Sequence, residues 1–157
     1  MGVLVVQHMP PTFTGQLARR LDRASALSVK EAEEGDEIHP GRVLLAPGHS
    51  HLVLRDKSRV GLEKEPSDLP HRPSVDVMVQ SGAEIFGEKA LGVIMTGMGE
   101  DGKKGLELLK RKGGKIIAQN EATSVVYGMP RAVVEAGLAD LICPLDGIAQ
   151  AIVRYLQ

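Results

Sequence analysis

Aromatic residues and cysteine are scarce in this chain. Of its 157 residues, two are Phe, two are Tyr and none is Trp. That argues against a surface that stacks bases or sugars. Cys143 is the single cysteine, which excludes an internal disulfide framework and a cysteine-based zinc site. An excess of one charge is also missing. Nineteen basic residues against 20 acidic ones leave a net charge of −1, so there is no case for a nucleic-acid or polyanion partner. No apolar run approaches a transmembrane span. Met1 to Val6 is too short and uncharged for a signal peptide, and the expectation is a cytoplasmic protein. Apolar residues make up 43%. That is enough to fill a core, and the length fits a single domain over 1–157.

What is present alternates. Apolar runs at Val3–Val6, Ser28–Ala32, Arg42–Ala46, Lys115–Ala118 and Leu141–Cys143 read as short strands. Segments with helical spacing lie between them. Thr12–Ala26 has Phe13, Leu17, Ala18 and Leu21 on one face, and Val75–Gly87 turns Val75, Val79 and Ile85 inward. Lys103–Lys112, Pro130–Gly137 and Gly147–Leu156 complete the helices. Leu52–Leu54 and Val60–Leu62 alternate around Asp56-Lys57-Ser58 and read as a β-hairpin. The expected class is α/β, a modified doubly wound, mostly parallel sheet. Helices cover both faces, and the hairpin replaces one crossover helix. In such sheets the site lies beyond the carboxyl ends of the strands. Those ends carry Gln7 and His8, Pro47 to His51, Thr96 to Asp101, and Gln119 to Thr123.

The most informative of these ends follows the apolar run from Leu91 to Met95. There the chain reads Gly97-Met98-Gly99-Glu100-Asp101-Gly102 and then opens a helix near Lys103. The spacing matches G-x-G-x-x-G, and Glu121 falls where a ribose-binding acid would sit. Yet a pyrophosphate needs bare N–H groups at the helix start, and Glu100 and Asp101 would set two negative charges beside it. Asp101 has two other readings. It is a helix N-cap that satisfies orphan N–H groups, or it is a carboxylate that orients a histidine. His8, at the end of the first strand, is the candidate partner, with the alternative that it is merely a hydrogen-bonded strand-end histidine.

Other clusters read more plainly. Alternation puts His49 and His51 on one face of an extended segment, a possible two-His metal clip. No third ligand completes it, so a solvated turn is the simpler reading and no metal is expected. Ser50 stands between them, but adjacent side chains in an extended segment point apart, which argues against a Ser–His pair. His71-Arg72-Pro73-Ser74-Val75-Asp76 reads as a helix entry, with Ser74 as cap and Asp76 in the first turn. Arg72 is also suited to gripping a substrate carboxylate by a bidentate fork.

Taken together, these segments resemble the catalytic domain of the chemotaxis protein-glutamate methylesterases. The matching stretches are V-V-Q-H-M-P-P at Val5–Pro11, L-A-P-G at Leu45–Gly48, H-R-P-S-V-D at His71–Asp76, M-T-G-M-G-E-D-G at Met95–Gly102 and Q-N-E-A-T-S-V-V-Y-G-M-P at Gln119–Pro130. They occur in the family's order through most of the chain. The resemblance implies a modified doubly wound fold with a hairpin in place of one helix. It also implies hydrolysis of glutamate methyl esters on the cytoplasmic region of methylated chemoreceptors, with release of methanol, and deamidation of receptor glutamines in some members. It implies neither a small-molecule cofactor nor a membrane segment. By motif, His8 matches the family's general base, Asp101 the aspartate that orients it, and the backbone N–H of Met98 the oxyanion donor.

The family's serine nucleophile sits in a G-A-S-T-G-G turn ahead of the histidine strand. None of Ser25, Ser28, Ser50, Ser58, Ser67, Ser74, Ser81 and Ser124 stands in such a turn. The family's usual phosphoacceptor receiver domain is likewise not among these residues. The expectation is an N-terminally shortened methylesterase whose 157 residues are inactive unless another segment supplies the serine. The alternative is an inactive fragment that binds a receptor or a signalling partner, and a nucleotide-binding α/β domain is the further one.

Overall fold

A computed structural model describes all residues, 1–157. The chain forms two compact units, Met1–Ser81 and Gly82–Gln157. In the first, strands β1 (Val3–Val5), β2 (Ser28–Glu31) and β3 (Arg42–Leu45) form a parallel sheet in the order β1-β3-β2. β4 (His51–Leu54) and β5 (Val60–Glu63) form the expected antiparallel hairpin, with Leu54 opposite Val60. The chain passes to the second unit within helix α2 (Val75–Phe86). There β6 (Leu91–Ile94), β7 (Lys115–Gln119) and β8 (Leu141–Cys143) make a second parallel sheet in that order. The expected mostly parallel α/β architecture is present, resolved as two three-stranded parallel ladders and a hairpin.

Central strands are buried on both faces, which is why they read as unbroken apolar runs. In β3, Leu44 faces a cluster with Ala32, Ala46, Leu52 and Val60. Val43 and Leu45 face the opposite cluster with Ala18 and Val29. In β7, Ile116, Ile117 and Ala118 are fully buried. Helix α3 (Lys103–Arg111) closes on this sheet through Leu106 and Leu109. It comes so near that a Cβ on Gly92 would lie 2.4 Å from Leu106 Cδ2. Helices α4 (Met129–Glu135) and α5 (Leu145–Tyr155) add Val133, Ile148 and Ala151 to the core. No helix is long and apolar enough to cross a membrane.

Two expected helix faces differ. Helix α1 runs Pro11–Ala24, with Pro10 at its cap and Pro11 in the first turn. Its buried face carries Thr14 and Ala18, whereas Phe13 and Leu21 are exposed. The cause is polar: the Thr14 hydroxyl donates to Glu31 and accepts from the Gly48 N–H at 3.1 Å. In α2 the buried residues are Val75 and Ala83, with Val79 and Ile85 only half-buried. Met78 packs against the Leu44 cluster.

Asp140 ties the start of β7 to the turn before β8. Its carboxylate accepts the Ile116 N–H at 2.9 Å and pairs with Lys110 at 2.8 Å and Lys115 at 3.4 Å. Burial opposes its charge, but the Lys110 and Ile116 hydrogen bonds outweigh that and hold the carboxyl below its usual range. A carboxyl lowered in the folded state stabilises above its unfolded pKa, and the benefit is lost as pH falls through the folded one. Asp140→Asn is therefore expected to cost about 1 kcal/mol at pH 7 and to lose its penalty towards pH 3. Urea melts of both proteins across that range check this; a pH-independent difference would contradict it.

Candidate active site

In the first unit, β1 ends and the chain runs through His8 into Met9-Pro10-Pro11. This segment lies against the turn that follows β3. A Cβ at Gly48 would fall 2.7 Å from both N and Cα of Pro11 and 2.8 Å from the Met9 carbonyl oxygen. Only glycine lets the two backbones touch there. Thr14 fastens the same turn from the helix side through the Gly48 N–H.

The His8 ring stacks on the His71 ring, with centroids 4.1 Å apart and planes inclined by 13°. His71 belongs to the loop from Pro66 to Ser74, and His51 clamps both ends of that loop. His51 is fully buried. Its Nδ1 accepts the Ser74 N–H at 3.1 Å, and its Nε2–H donates to the Pro66 carbonyl at 3.0 Å. The pairing fixes the Nε2–H tautomer. Arg72, next in the loop, is exposed. Ser74 is buried at the start of α2, where its hydroxyl accepts the Val77 N–H at 3.5 Å.

The histidines around Ser50 depart from expectation. His51 begins β4 and is buried, while His49 is exposed in the preceding turn. They therefore do not share an exposed face. With both ring nitrogens of His51 engaged by backbone, the two-His clip does not form. Nor is His51 in a solvated turn. Because the segment turns at Ser50 rather than running extended, His49 Nδ1 meets Ser50 Oγ at 2.8 Å. Ser50 is only 4% exposed, which closes its hydroxyl to a protein substrate.

In the second unit, the turn after β6 is stitched to the segment before α4. The Gly97 N–H donates to the Val126 carbonyl at 3.0 Å, and the Gly97 carbonyl accepts the N–H groups of Gly128 at 3.1 Å and Met129 at 2.9 Å. Thr96 and Val126 exchange two further bonds, of 3.1 and 2.9 Å, through the Thr96 hydroxyl. Beneath them Gln119 is fully buried with its amide in use: Oε1 accepts the Thr96 N–H and Nε2 donates to the Thr123 carbonyl, each at 2.8 Å.

The glycines of this turn serve its own geometry. A Cβ at Gly97 would sit 2.2 Å from Met129 Sδ, and Gly99 and Gly102 have φ of +84° and +101°. They account for the G-x-G-x-x-G spacing without a nucleotide. Gly102, rather than Asp101, is the cap residue of α3, and no side chain bonds from it to the helix. Asp101 stands just before it and is half-buried. Met98 is 76% exposed at the tip. A backbone donor so presented is suited to a developing oxyanion.

The structure thus brings His8 to His71 in one unit, and Met98 and Asp101 into one stitched turn in the other. A family model described as CheB methylesterase matches residues 1–152. The chain belongs to the CheB methylesterase family. A protein-glutamate methylesterase/protein-glutamine glutaminase of Moorella thermoacetica is 54% identical over 99% of this chain, which covers 38% of that protein. A second such enzyme, numbered 2 in Nitratidesulfovibrio vulgaris, is 48% identical over 99% of this chain and 43% of its own length. The chain therefore spans about two-fifths of these curated relatives. The crystal structure of the Thermotoga maritima CheB methylesterase catalytic domain superposes with a TM-score of 0.94 at 45% identity. It covers 98% of this chain and 82% of that one. Neither the nucleotide-binding nor the binding-module reading is favoured by these relatives.

Sequence reasoning placed His51 and Gln119 at the strand ends and His71 in a helix entry, but gave none of them the contacts by which they brace these turns. Their signal was present: each stands in or beside a matched motif. Their contacts, however, join positions far apart in the chain.

Gly48 supplies a direct test of the first turn. Gly48→Ala must push Met9–Pro11 away, at a cost of about 1–3 kcal/mol. Urea denaturation reads the loss; an unchanged midpoint would show that the segment yields freely.

Proposed function

We propose that these residues serve hydrolysis of glutamate methyl esters on chemoreceptors, with deamidation of glutamine as the parallel reaction. The relatives' activity and their close match along the chain carry the reading. On it, residues 1–157 act as one methylesterase-type domain. The partner is the cytoplasmic region of a methylated chemoreceptor, and the place of action is the cytoplasm.

His8 is the general base. It takes the proton of a serine hydroxyl as the serine oxygen attacks the ester carbonyl, and it returns that proton to the departing methoxide as methanol leaves. Water, deprotonated by His8 in turn, attacks the acyl-serine, and His8 hands that proton to the departing serine oxygen as the glutamate side chain is released. Asp101 orients His8 and supports its protonated form. The Met98 N–H receives the oxyanion, where a fixed donor acts on charge that develops only in the transition state. The exposed Arg72 suits contact with a substrate carboxylate. The serine comes from a segment other than residues 1–157, because no serine here stands in the family's turn. The buried Ser50 does not replace it.

The test joins this chain to a serine-bearing segment of the family and follows methanol release from methylated receptor. His8→Ala and Asp101→Asn are each expected to lower kcat by about 1,000-fold or more, the latter through a wrong histidine tautomer. The 157 residues alone are expected to release none. Full turnover by the His8→Ala protein would overturn the assignment.

A further inference from the structure

We propose that His71 is a positioning residue for His8: its ring, stacked on one face of the His8 imidazole, holds the plane in which the base must meet its proton. The role rests on the reading of His8 as the general base, and His71 is assigned no part in proton transfer.

The geometry separates positioning from chemistry. Rings 4.1 Å apart and inclined by only 13° meet face to face. The nitrogen lone pairs and N–H bonds of an imidazole lie in the ring plane, so neither ring offers a nitrogen to the other. What the stack restrains is rotation of His8 out of its plane, because tilting would drive its edge into the His71 face. Stacked rings attract one another beyond the area they bury. That attraction favours one ring orientation.

The wall is itself braced. His71 sits in the loop whose two ends, at Pro66 and Ser74, are both hydrogen-bonded to the buried His51 ring. The backbone behind His8 is braced separately, through Gly48 against Met9 and Pro11. One set of contacts fixes where the base stands and the other fixes which way its ring faces. Proton transfer needs both, since small misplacement of a catalytic group costs up to about 100-fold in rate.

Two substitutions and two readouts decide it. His71→Ala removes the wall, and His71→Phe keeps an aromatic face without nitrogens. In the chain joined to its serine segment, His71→Ala is expected to lower kcat by about 10- to 100-fold with little change in KM. His71→Phe is expected to recover kcat to within about 3-fold of the parent. The 157-residue chain supplies a readout independent of activity. The ring C–H protons of His8, assigned by comparison with His8→Gln, are expected upfield of a free histidine. They should move downfield in His71→Ala and remain upfield in His71→Phe. Parental kcat in His71→Ala, or a His71→Phe protein as slow as His71→Ala, would overturn the role. Absence of the upfield shift in the parent chain would overturn it as well. If His8→Ala keeps full turnover, the assignment of His8 has failed instead, and the proton shifts still report whether the stack exists.

Discussion

Both strand-end turns depend on backbone lying directly on backbone, with no side chain between. At Gly48 the neighbour is Pro11, and at Gly128 it is Gly97, whose carbonyl oxygen would lie 2.7 Å from an added Cβ. Such contact replaces flexible side-chain packing with two stiff main chains at fixed separation. In each case the close approach lies just behind a residue of the proposed machinery: His8 precedes Met9–Pro11, and Met98 follows Gly97. A catalytic group on a loop is only as well placed as the loop, and these loops have little freedom to move.

Buried polar side chains convert that contact into specificity. Thr14, His51 and Gln119 are each fully buried, and each spends its hydrogen-bonding groups on main chain or on a neighbouring side chain. A buried polar group left unpaired costs about 1–3 kcal/mol, so a loop that drifted from any of them would leave one behind. The net gain from forming each bond is small, near 1 kcal/mol. The penalty for every alternative loop conformation is larger. The three residues therefore select a conformation more than they stabilise the fold, a distinction familiar for satisfied polar networks.

Legibility in the sequence followed range. The strands were readable because central strands covered on both faces must be apolar throughout, as in Val43-Leu44-Leu45 and Ile116-Ile117-Ala118. The hairpin was readable from alternation on either side of Asp56-Lys57-Ser58. Faces of helices were less so. The inward turn of Thr14 is set by Glu31 and by Gly48, 17 and 34 positions away, and a threonine carries no mark of such partners. Alternation failed at His49-Ser50-His51 for a related reason. It presumes an extended backbone, and the chain there turns before β4 begins.

The site was legible to the extent that its chemistry sits in short motifs. His8 and Asp101 were proposed because each follows a strand in a glycine- or proline-marked turn, and Met98 because it matches the family motif. His71 was not, although it lies in H-R-P-S-V-D, because its neighbourhood there has a sufficient local explanation as a helix entry. A residue that caps, turns or packs locally gives no hint of a second contact across the fold. The stacked pair joins positions 8 and 71, and no periodicity spans that interval. Between them the chain makes one crossover through α1 and then the antiparallel β4–β5 hairpin, whose exit carries the His71 loop. Successive crossovers bring distant loops to a common rim, and residues on that rim acquire contacts that no window of sequence contains. The invisible part of such a site is then the support around the reactive groups rather than the groups themselves. Reactive groups need particular chemistry and so leave motifs, whereas a supporting ring needs only shape.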